Sequence, residues 1–476
     1  MARAHIALAV ATALLVGPTL GCGVMLYDVG ELFFFADALR TGRTPGLDFV
    51  VNGYGPGRYL LFAALFQDGP SLAVAAAVFG VLRLGISALA WEVARRVVDR
   101  GAWLVPAALL VAPGPLHKGF FLLGTLALAL ALLRWLEDPC RRRAWALGAV
   151  VAGAGLFRLD LGLFGLALGA LVLVGQRPRD LGALVAPSLA AGAAVLGWTL
   201  ADGATAAVVA QVLDDVAKNQ TITDPRFPGV ARVASLDVEA WLLVLPLLVY
   251  PLLALGLRRV DPPNRRRMLV VLLLGVLTAN QVRMKPELGH LLQAGPMLWL
   301  ALAALLQRLP RVPQHGAQLA VLGLLASAAF VRPGDVYTGA FTIPWERVHV
   351  VPTAAGPARL NPGERAELEP LLAALAATPP GPLWVPSNEP LLFALSGRPS
   401  ASPVVGVVYV VGDAAAQAAV IEHVEAAAPP VAVFVDSTIE GPSRTLREGA
   451  PALHEHLTRR YAPTQTFGRF TLMERR

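Results

Sequence analysis

YDVGELFFFADALRTGRTPGLDFVVNGYGPGRY, residues 27–59, carries Asp28, Glu31, Asp37 and Asp48, a Gly/Pro-rich turn from Gly53 to Gly57, and Arg58. An apolar run precedes it and another hydrophobic segment follows, so it reads as a loop joining two membrane spans. Almost any polar residues could build such a loop. Carboxylates crowded within a few residues of a bilayer surface need a reason. Two reasons fit the loop on its own: acids solvated at an interface, or a site that requires negative charge beside the membrane.

Working outward, composition sets the class. The chain has 476 residues, 55% of them hydrophobic and 15% charged, and its mean hydropathy is +0.58, too apolar for an ordinary soluble protein. Apolar stretches long enough to cross a bilayer recur through the first 330 positions. The expected fold is an all-α polytopic membrane bundle of about 11 helices. The spans fall at 6–26, 69–93, 101–116, 119–136, 144–157, 159–175, 181–201, 241–257, 268–282, 290–307 and 317–331. The net charge of +7 does not indicate a nucleic-acid partner, because the arginines are scattered between apolar runs.

Those arginines report topology instead. Arg95, Arg96 and Arg100, then Arg141 to Arg143, Arg177 and Arg179, Arg258, Arg259 and Arg265 to Arg267, and Arg308 and Arg311 occupy alternate connections. With a cytoplasmic N-terminus all of them fall inside, as the positive-inside rule requires. The intervening connections 27–58, 202–240 and 283–289 then face outward, as does the C-terminus. Thr19 stands where a lipoprotein signal would have Leu three residues before Cys22, so the first apolar run reads as an uncleaved span. Cys140 lies at the inner end of the fourth span, so no disulfide with Cys22 is expected, and two isolated cysteines make no zinc site.

Further charges cluster on the face expected to be outer. FRLD, Phe157 to Asp160, turns between two spans; Arg158 and Asp160 suit either a hairpin cap or a site. RMKPELGHLL, residues 283–292, sets Arg283, Lys285 and His290 where the positive-inside rule leaves few cations. The chain has three lysines, Lys118, Lys218 and Lys285, and all fall in outer connections. Cations of this kind are what a phosphate leaving group requires, since they neutralise charge on the bridging oxygen as it departs. His117 and Lys118 follow a Pro-Gly-Pro turn that could present them to a cavity. Arg83, in mid-span, calls for a partner from another span or loop, because an unpaired arginine there costs about 3 kcal/mol. Asp214 and Asp215, adjacent on a helix, point about 100° apart and make no D-x-D metal motif.

From 332 onward the apolar runs shorten and turn residues multiply. PLWVP, VVGVVYVV and VAVFVD read as strands, DAAAQAAVIEHVEAAAP and SRTLREGAPALHEHLTRRY as helices, and YAPTQTFGRFTLMER as a closing hairpin. The expected organisation is therefore a membrane domain over 1–331 and a small extracytoplasmic α/β domain over 332–476. It lacks a Gly-rich phosphate loop. His454 and His456, two apart on a helix, are poor metal ligands.

The D-x-G-E start at Asp28, the L-x-x-G-x-x-P-x-x-D-F series from Leu39 to Phe49 and the Y-G-P-G turn at Tyr54 resemble the first outer loop of bacterial GT-C membrane glycosyltransferases. This superfamily includes the aminoarabinose transferases and protein mannosyltransferases. GLFRLDLGLFGL, the R-x-x-x-x-x-G-H loop from Arg283 to His290 (with Glu287 where the family often has Asp) and NEPLLFALSGRPS resemble further family segments. The resemblance implies transfer of a sugar from a polyprenyl-phosphate donor to an envelope glycan, lipid or protein acceptor, at the outer face of the cytoplasmic membrane. It makes Asp28 the general base of an inverting reaction. Glu31 and Asp48 would orient the acceptor, the base or a divalent cation; no metal motif and no certain cofactor are assigned. Tyr54, Arg58, Lys118, Arg158, Asp160, Arg283, Lys285 and His290 would hold the donor. Two alternatives remain open at this point: a lipid or solute transporter, and a non-catalytic scaffold for envelope assembly. Against the first, the chain shows no paired halves, and its polar residues crowd one face instead of the midplane.

Overall fold

A computed structural model describes residues 2–50, 54–222, 233–235, 237–332, 336–337, 346–406, 410, 412–436 and 445–476. Among them, six helices are long and apolar enough to cross a membrane: Leu72–Val97, Leu116–Glu137, Pro178–Ala201, Val238–Arg259, Leu288–Leu306 and Arg311–Val331. Two expected spans are shorter than drawn. α1 (Ala2–Leu15) has 14 residues, about 21 Å, and stops where Gly17 and Pro18 introduce a tight turn. The 101–116 segment contains only α5 (Leu104–Val111), 8 residues or about 12 Å, because Pro113-Gly114-Pro115 cannot continue it.

The 27–59 stretch is also more ordered than a loop. α2 (Asp28–Arg40) fills its first part and α3 (Gly57–Leu65) starts at its end, the first carrying Asp28 and Glu31 in its opening turn. Phe33, Phe35, Phe62 and Phe66 are fully buried beneath these helices, so the aromatic run LFFF is packing and not interface. Beyond α3 follow α4 (Leu72–Val97), α5, α6 (Gly119–Glu137), α7 (Arg141–Phe157), α8 (Leu159–Val174) and α9 (Leu181–Ala201). α10 (Thr205–Ile222) then lies on the turn after α2: Gln211 donates to the Gly46 carbonyl at 2.9 Å, and a Cβ on Gly46 would stand 2.8 Å from Val208. Of the Asp214–Asp215 pair, the Asp215 side chain lies outside the described residues. α11 (Val238–Gly256), α12 (Pro262–Met284), α13 (Leu288–Leu306) and α14 (Arg311–Val331) complete the helical part. α13 is buried on every side, as expected of a helix apolar all round.

The strands begin after α14. β1 (His349–Val351) and β2 (Ala358–Leu360) form a hairpin that the sequence reading had not anticipated. A four-stranded sheet runs β3 (Leu383–Trp384), β4 (Val431–Val435), β6 (Phe470–Arg475), β5 (Tyr461–Phe467), with β3 parallel to β4 and the closing hairpin antiparallel. α15 (Pro362–Ala377) starts with an Asn361/Glu364 capping box and Pro at its first position. α16 (Leu391–Ser396), α17 (Ala414–Ala427), α18 (Leu446–Gly449) and α19 (Pro451–Arg460) cover the sheet. The VVGVVYVV strand does not form over 404–406, and 407–409 and 411 lie outside the described residues. Ser400 and Ser402 explain this: their hydroxyls bond backbone groups two residues on and hold the chain in turns.

The strand-bearing part docks on the first helices through one shared core, in which Phe34 meets Phe393 and Leu391 packs with Val29 and Leu32. Backbone bonds stitch the seam: Gly23 N–H to Arg359 O at 2.6 Å, Leu391 N–H to Leu26 O at 3.0 Å, Val50 N–H to Pro403 O at 3.0 Å. The glycine of D-V-G-E is explained here, since a Cβ on Gly30 would stand 2.2 Å from the Leu391 nitrogen.

Candidate active site

Asp28 opens α2, where the helix dipole favours a carboxylate, and Glu31 follows one turn later on the same face. Their surroundings differ. The Asp28 side chain is 25% exposed, whereas that of Glu31 is buried against Arg58, whose guanidinium lies 3.5 Å from it. Arg58 is itself buried, donates to the Tyr59 hydroxyl, and packs 3.8 Å from the Tyr54 ring centre and 4.6 Å from that of Tyr59.

The Y-G-P-G turn meets FRLD through its glycines. A Cβ on Gly55 would fall 2.1 Å from the Leu156 carbonyl oxygen, and one on Gly57 2.9 Å from it, so the turn lies flat on the end of α7. Tyr54 then reaches Arg158, whose guanidinium is 5.2 Å from its ring centre and 4.7 Å from that of Phe121. Arg158 is fixed from both sides. Its Nε donates to Asp160 at 2.9 Å and its terminal nitrogen to Gln281 Oε1 at 2.8 Å, while Gln281 Nε2 donates to Asp160 at 3.0 Å. Arg158 and Asp160 therefore form a closed network between α8 and α12, not a lone hairpin cap.

Arg83 obtains its partners from a loop. It donates to the Pro113 and Gly114 carbonyls, shaping the Pro-Gly-Pro turn in which Gly114 takes φ +72°. That turn delivers His117 and Lys118. His117 is 7% exposed, neither ring nitrogen has a hydrogen-bond partner, and its Nε2 lies 3.7 Å from Asp28 Oδ1. Lys118, Arg58, His290 and Arg83 all lie close enough to act on its charge.

The start of α13 meets the same loop, with a Cβ on Gly289 3.7 Å from the Pro115 ring. Glu287 accepts a 2.7 Å hydrogen bond from His290 Nδ1 and faces Lys285 at 3.4 Å. Burial opposes its ionisation, but the His290 bond and the nearby Lys285 and Lys118 charges hold its carboxyl at about 2. Lys118 is half-buried; its backbone N–H donates to the Pro115 carbonyl at 3.1 Å, and its ammonium has no hydrogen bond or ion pair among the described residues. Two carboxylates, two histidines and two lysines thus converge from α2, the 113–118 loop and the 285–290 segment that leads into α13.

Other expected site residues sit differently. Arg283 is exposed on the last turn of α12, two residues before Lys285, and its Nε donates to Asn280 at 2.8 Å. Asp48 is exposed in the turn after α2, where it accepts the Thr44 N–H at 2.6 Å and acts on the charge of Arg43. Tyr59 and Gln281 are not among the residues the sequence points to, Glu287 enters there only as a departure from the family's loop pattern, and His117 only as the neighbour of Lys118. The polar TANQ run ending an apolar span carried a signal for Gln281; nothing in sequence spacing puts His117 against Asp28. Among the described residues no group of three or more His, Cys, Asp or Glu side chains could hold a metal ion, and both cysteines are free.

No family model and no curated protein matches the chain by sequence. Among solved structures, it is similar to ArnT from Cupriavidus metallidurans bound to undecaprenyl phosphate, with a TM-score of 0.56 and 16% identity over 98% of this chain and 97% of that one. Over nearly its whole length, then, strand-bearing part included, this chain has a fold similar to that of ArnT.

Proposed function

We propose that this chain is an integral-membrane glycosyltransferase that uses a polyprenyl-phosphate-linked sugar. The observation that supports it most directly is the 3.7 Å approach of Asp28 to His117 within the field of Lys118 and His290. A carboxylate base and the Lys118 and Lys285 ammonium groups are brought together around His117 and Glu287, the kinds of group that displacement of a phosphate by a hydroxyl requires. The bound undecaprenyl phosphate of ArnT, a protein of similar fold, fits the same reading. In the reaction the acceptor hydroxyl loses its proton to Asp28 as its oxygen bonds the anomeric carbon. The bond from that carbon to the phosphate oxygen breaks, and the electron pair leaves on the phosphate. Lys118, Lys285 and His290 stabilise that charge. Attack opposite the leaving group inverts the anomeric centre. In this reading the site faces outward from the cytoplasmic membrane, the N-terminus is cytoplasmic, residues 332–476 form the extracytoplasmic domain, and the acceptor is an envelope glycan, lipid or protein.

Binding of undecaprenyl phosphate to the full-length protein in nanodiscs, followed by native mass spectrometry, tests the donor side. A charge-assisted bond contributes about 1.5–3 kcal/mol, so Lys118→Gln should weaken binding roughly 10- to 100-fold. Equal affinity in wild type and variant would remove Lys118 from the phosphate site.

A further inference from the structure

α13 begins without a side-chain cap of its own. Its first intrahelical bond runs from the Leu291 N–H to the Glu287 carbonyl at 3.1 Å, so the N–H groups ahead of it need acceptors from elsewhere. Glu287 is the N-cap residue, but its carboxylate does not turn back to them. It takes the His290 Nδ1–H at 2.7 Å and stands 3.4 Å from Lys285. Glu239, in the first turn of α11, supplies an acceptor instead: its Oε1 takes the Leu288 N–H at 3.3 Å.

The Glu239 side chain is 12% exposed and is itself held. Arg332, the residue after α14, grips it as a fork, with Nη1 donating to Oε1 at 3.3 Å and Nη2 lying 3.2 Å from Oε2. Behind it, the Asp237 carboxylate accepts the Glu239 and Ala240 N–H groups at 3.0 and 3.2 Å and fixes where α11 starts.

We propose that Glu239 is a positioning residue for the donor phosphate: by capping α13 from outside, it leaves Glu287 to orient Lys285 and His290. The proposal rests on the glycosyl-transfer reading, in which those two side chains meet the phosphate of the lipid-linked sugar. Three observations support it. The connection from α12 to α13 is only Lys285, Pro286 and Glu287. It is tight, with the Lys285 N–H on the Gln281 carbonyl at 3.1 Å and the Glu287 N–H on the Lys285 carbonyl at 2.9 Å. Where α13 begins therefore decides where Lys285 and His290 stand. Next, a side-chain oxygen at the N-cap is the usual acceptor for the first N–H groups of a helix. With Glu239 gone, those groups compete with His290 and Lys285 for the Glu287 carboxylate. Finally, Gly289 lies against the Pro115 ring, so a shift at the start of α13 also disturbs the turn that carries Lys118.

The test is undecaprenyl phosphate binding to the full-length protein in nanodiscs, read by native mass spectrometry well below the melting temperature of each variant. Glu239→Ala is expected to bind roughly tenfold more weakly, the scale of a lost helix cap. Glu239→Gln keeps an oxygen for the Leu288 N–H and should stay within about threefold of wild type. In a Glu287→Gln background, where the carboxylate that Glu239 spares is already gone, Glu239→Ala should add no more than about twofold. A purely structural role would lower the melting temperature and leave affinity and this dependence on Glu287 unmoved. Arg332→Gln serves if the alanine variant does not fold: it loosens Glu239 and should weaken binding roughly threefold. Wild-type affinity in Glu239→Ala, or in Arg332→Gln where that variant stands in, overturns the proposal, as does a tenfold loss that persists undiminished in the Glu287→Gln background. In each of those cases Lys118→Gln still weakens binding and the enzyme reading stands. Wild-type protein that binds no undecaprenyl phosphate would instead remove the reading itself.

Discussion

Asp28→Asn is expected to abolish sugar transfer while the protein still inserts and folds. Asparagine keeps the size and shape of the side chain at the first position of α2 but cannot take a proton. The helix loses little, because the seam that anchors α2 is made elsewhere, by Gly30 against Leu391 and by the buried phenylalanines. A general base contributes about 10²–10⁴-fold, so the residual rate should be lower by that factor. Asp28→Glu tests geometry separately. It keeps the charge but lengthens the reach by about 1.5 Å, and a misplacement on that scale also costs up to about 10²-fold. Transfer is measured as released polyprenyl phosphate, with thermal unfolding as the control. Full activity in Asp28→Asn with unchanged stability would show that the base lies elsewhere.

The largest effect on stability should come from Arg58→Leu. Arg58 and Glu31 are both nearly excluded from solvent, 3.5 Å apart, and the guanidinium also ties Tyr54 and Tyr59 into the α2–α3 seam. Removing the cation takes from the Glu31 carboxylate, at 2% exposure, the guanidinium that stands 3.5 Å away. Breaking a buried pair from one side costs about 3–5 kcal/mol. Most of that is the charge left behind, so adding Glu31→Gln should recover a good part of it. Thermal unfolding of the two variants in one detergent compares them. If Arg58→Leu melts with wild type, or Glu31→Gln makes it worse, the pair is not what holds α2 to α3.

How much of this was legible beforehand varies with the physics. Spans such as 181–201 and 119–136 were readable because a bilayer demands continuous apolar length, and helices appear there. The true extent of α1 and α5 was less so, since hydropathy counts apolar residues without asking whether Gly17-Pro18 or Pro113-Gly114-Pro115 lets a helix continue. For the same reason 27–59 read as a loop: its polar residues signalled the interface but hid the helical turn that sets Asp28 and Glu31 on one face.

The site was legible in its parts. Asp28, Lys118, Lys285 and His290 were each visible as charges in places where charge is expensive. Their meeting was not, because it depends on a buried Arg83 bending a loop between two helices and on glycines at 55 and 57 that bring α7 against α3. Arg83 itself announced that it needed a partner, and the partner turned out to be backbone. Over its described start, 404–406, the VVGVVYVV strand is missing for a local reason: serines at 400 and 402 bond the backbone up to Val404 before a strand can.

The central claim is that Asp28 and the cations of the 113–118 loop and the start of α13 face one lipid phosphate. Electron cryomicroscopy of the full-length protein in nanodiscs with undecaprenyl phosphate measures this directly. The account predicts phosphate density about 3 Å from Lys118 Nζ, beside His290, with Asp28 lining the same cavity. Phosphate bound away from Lys118 and His290, or separated from Asp28 by packed protein, would contradict it.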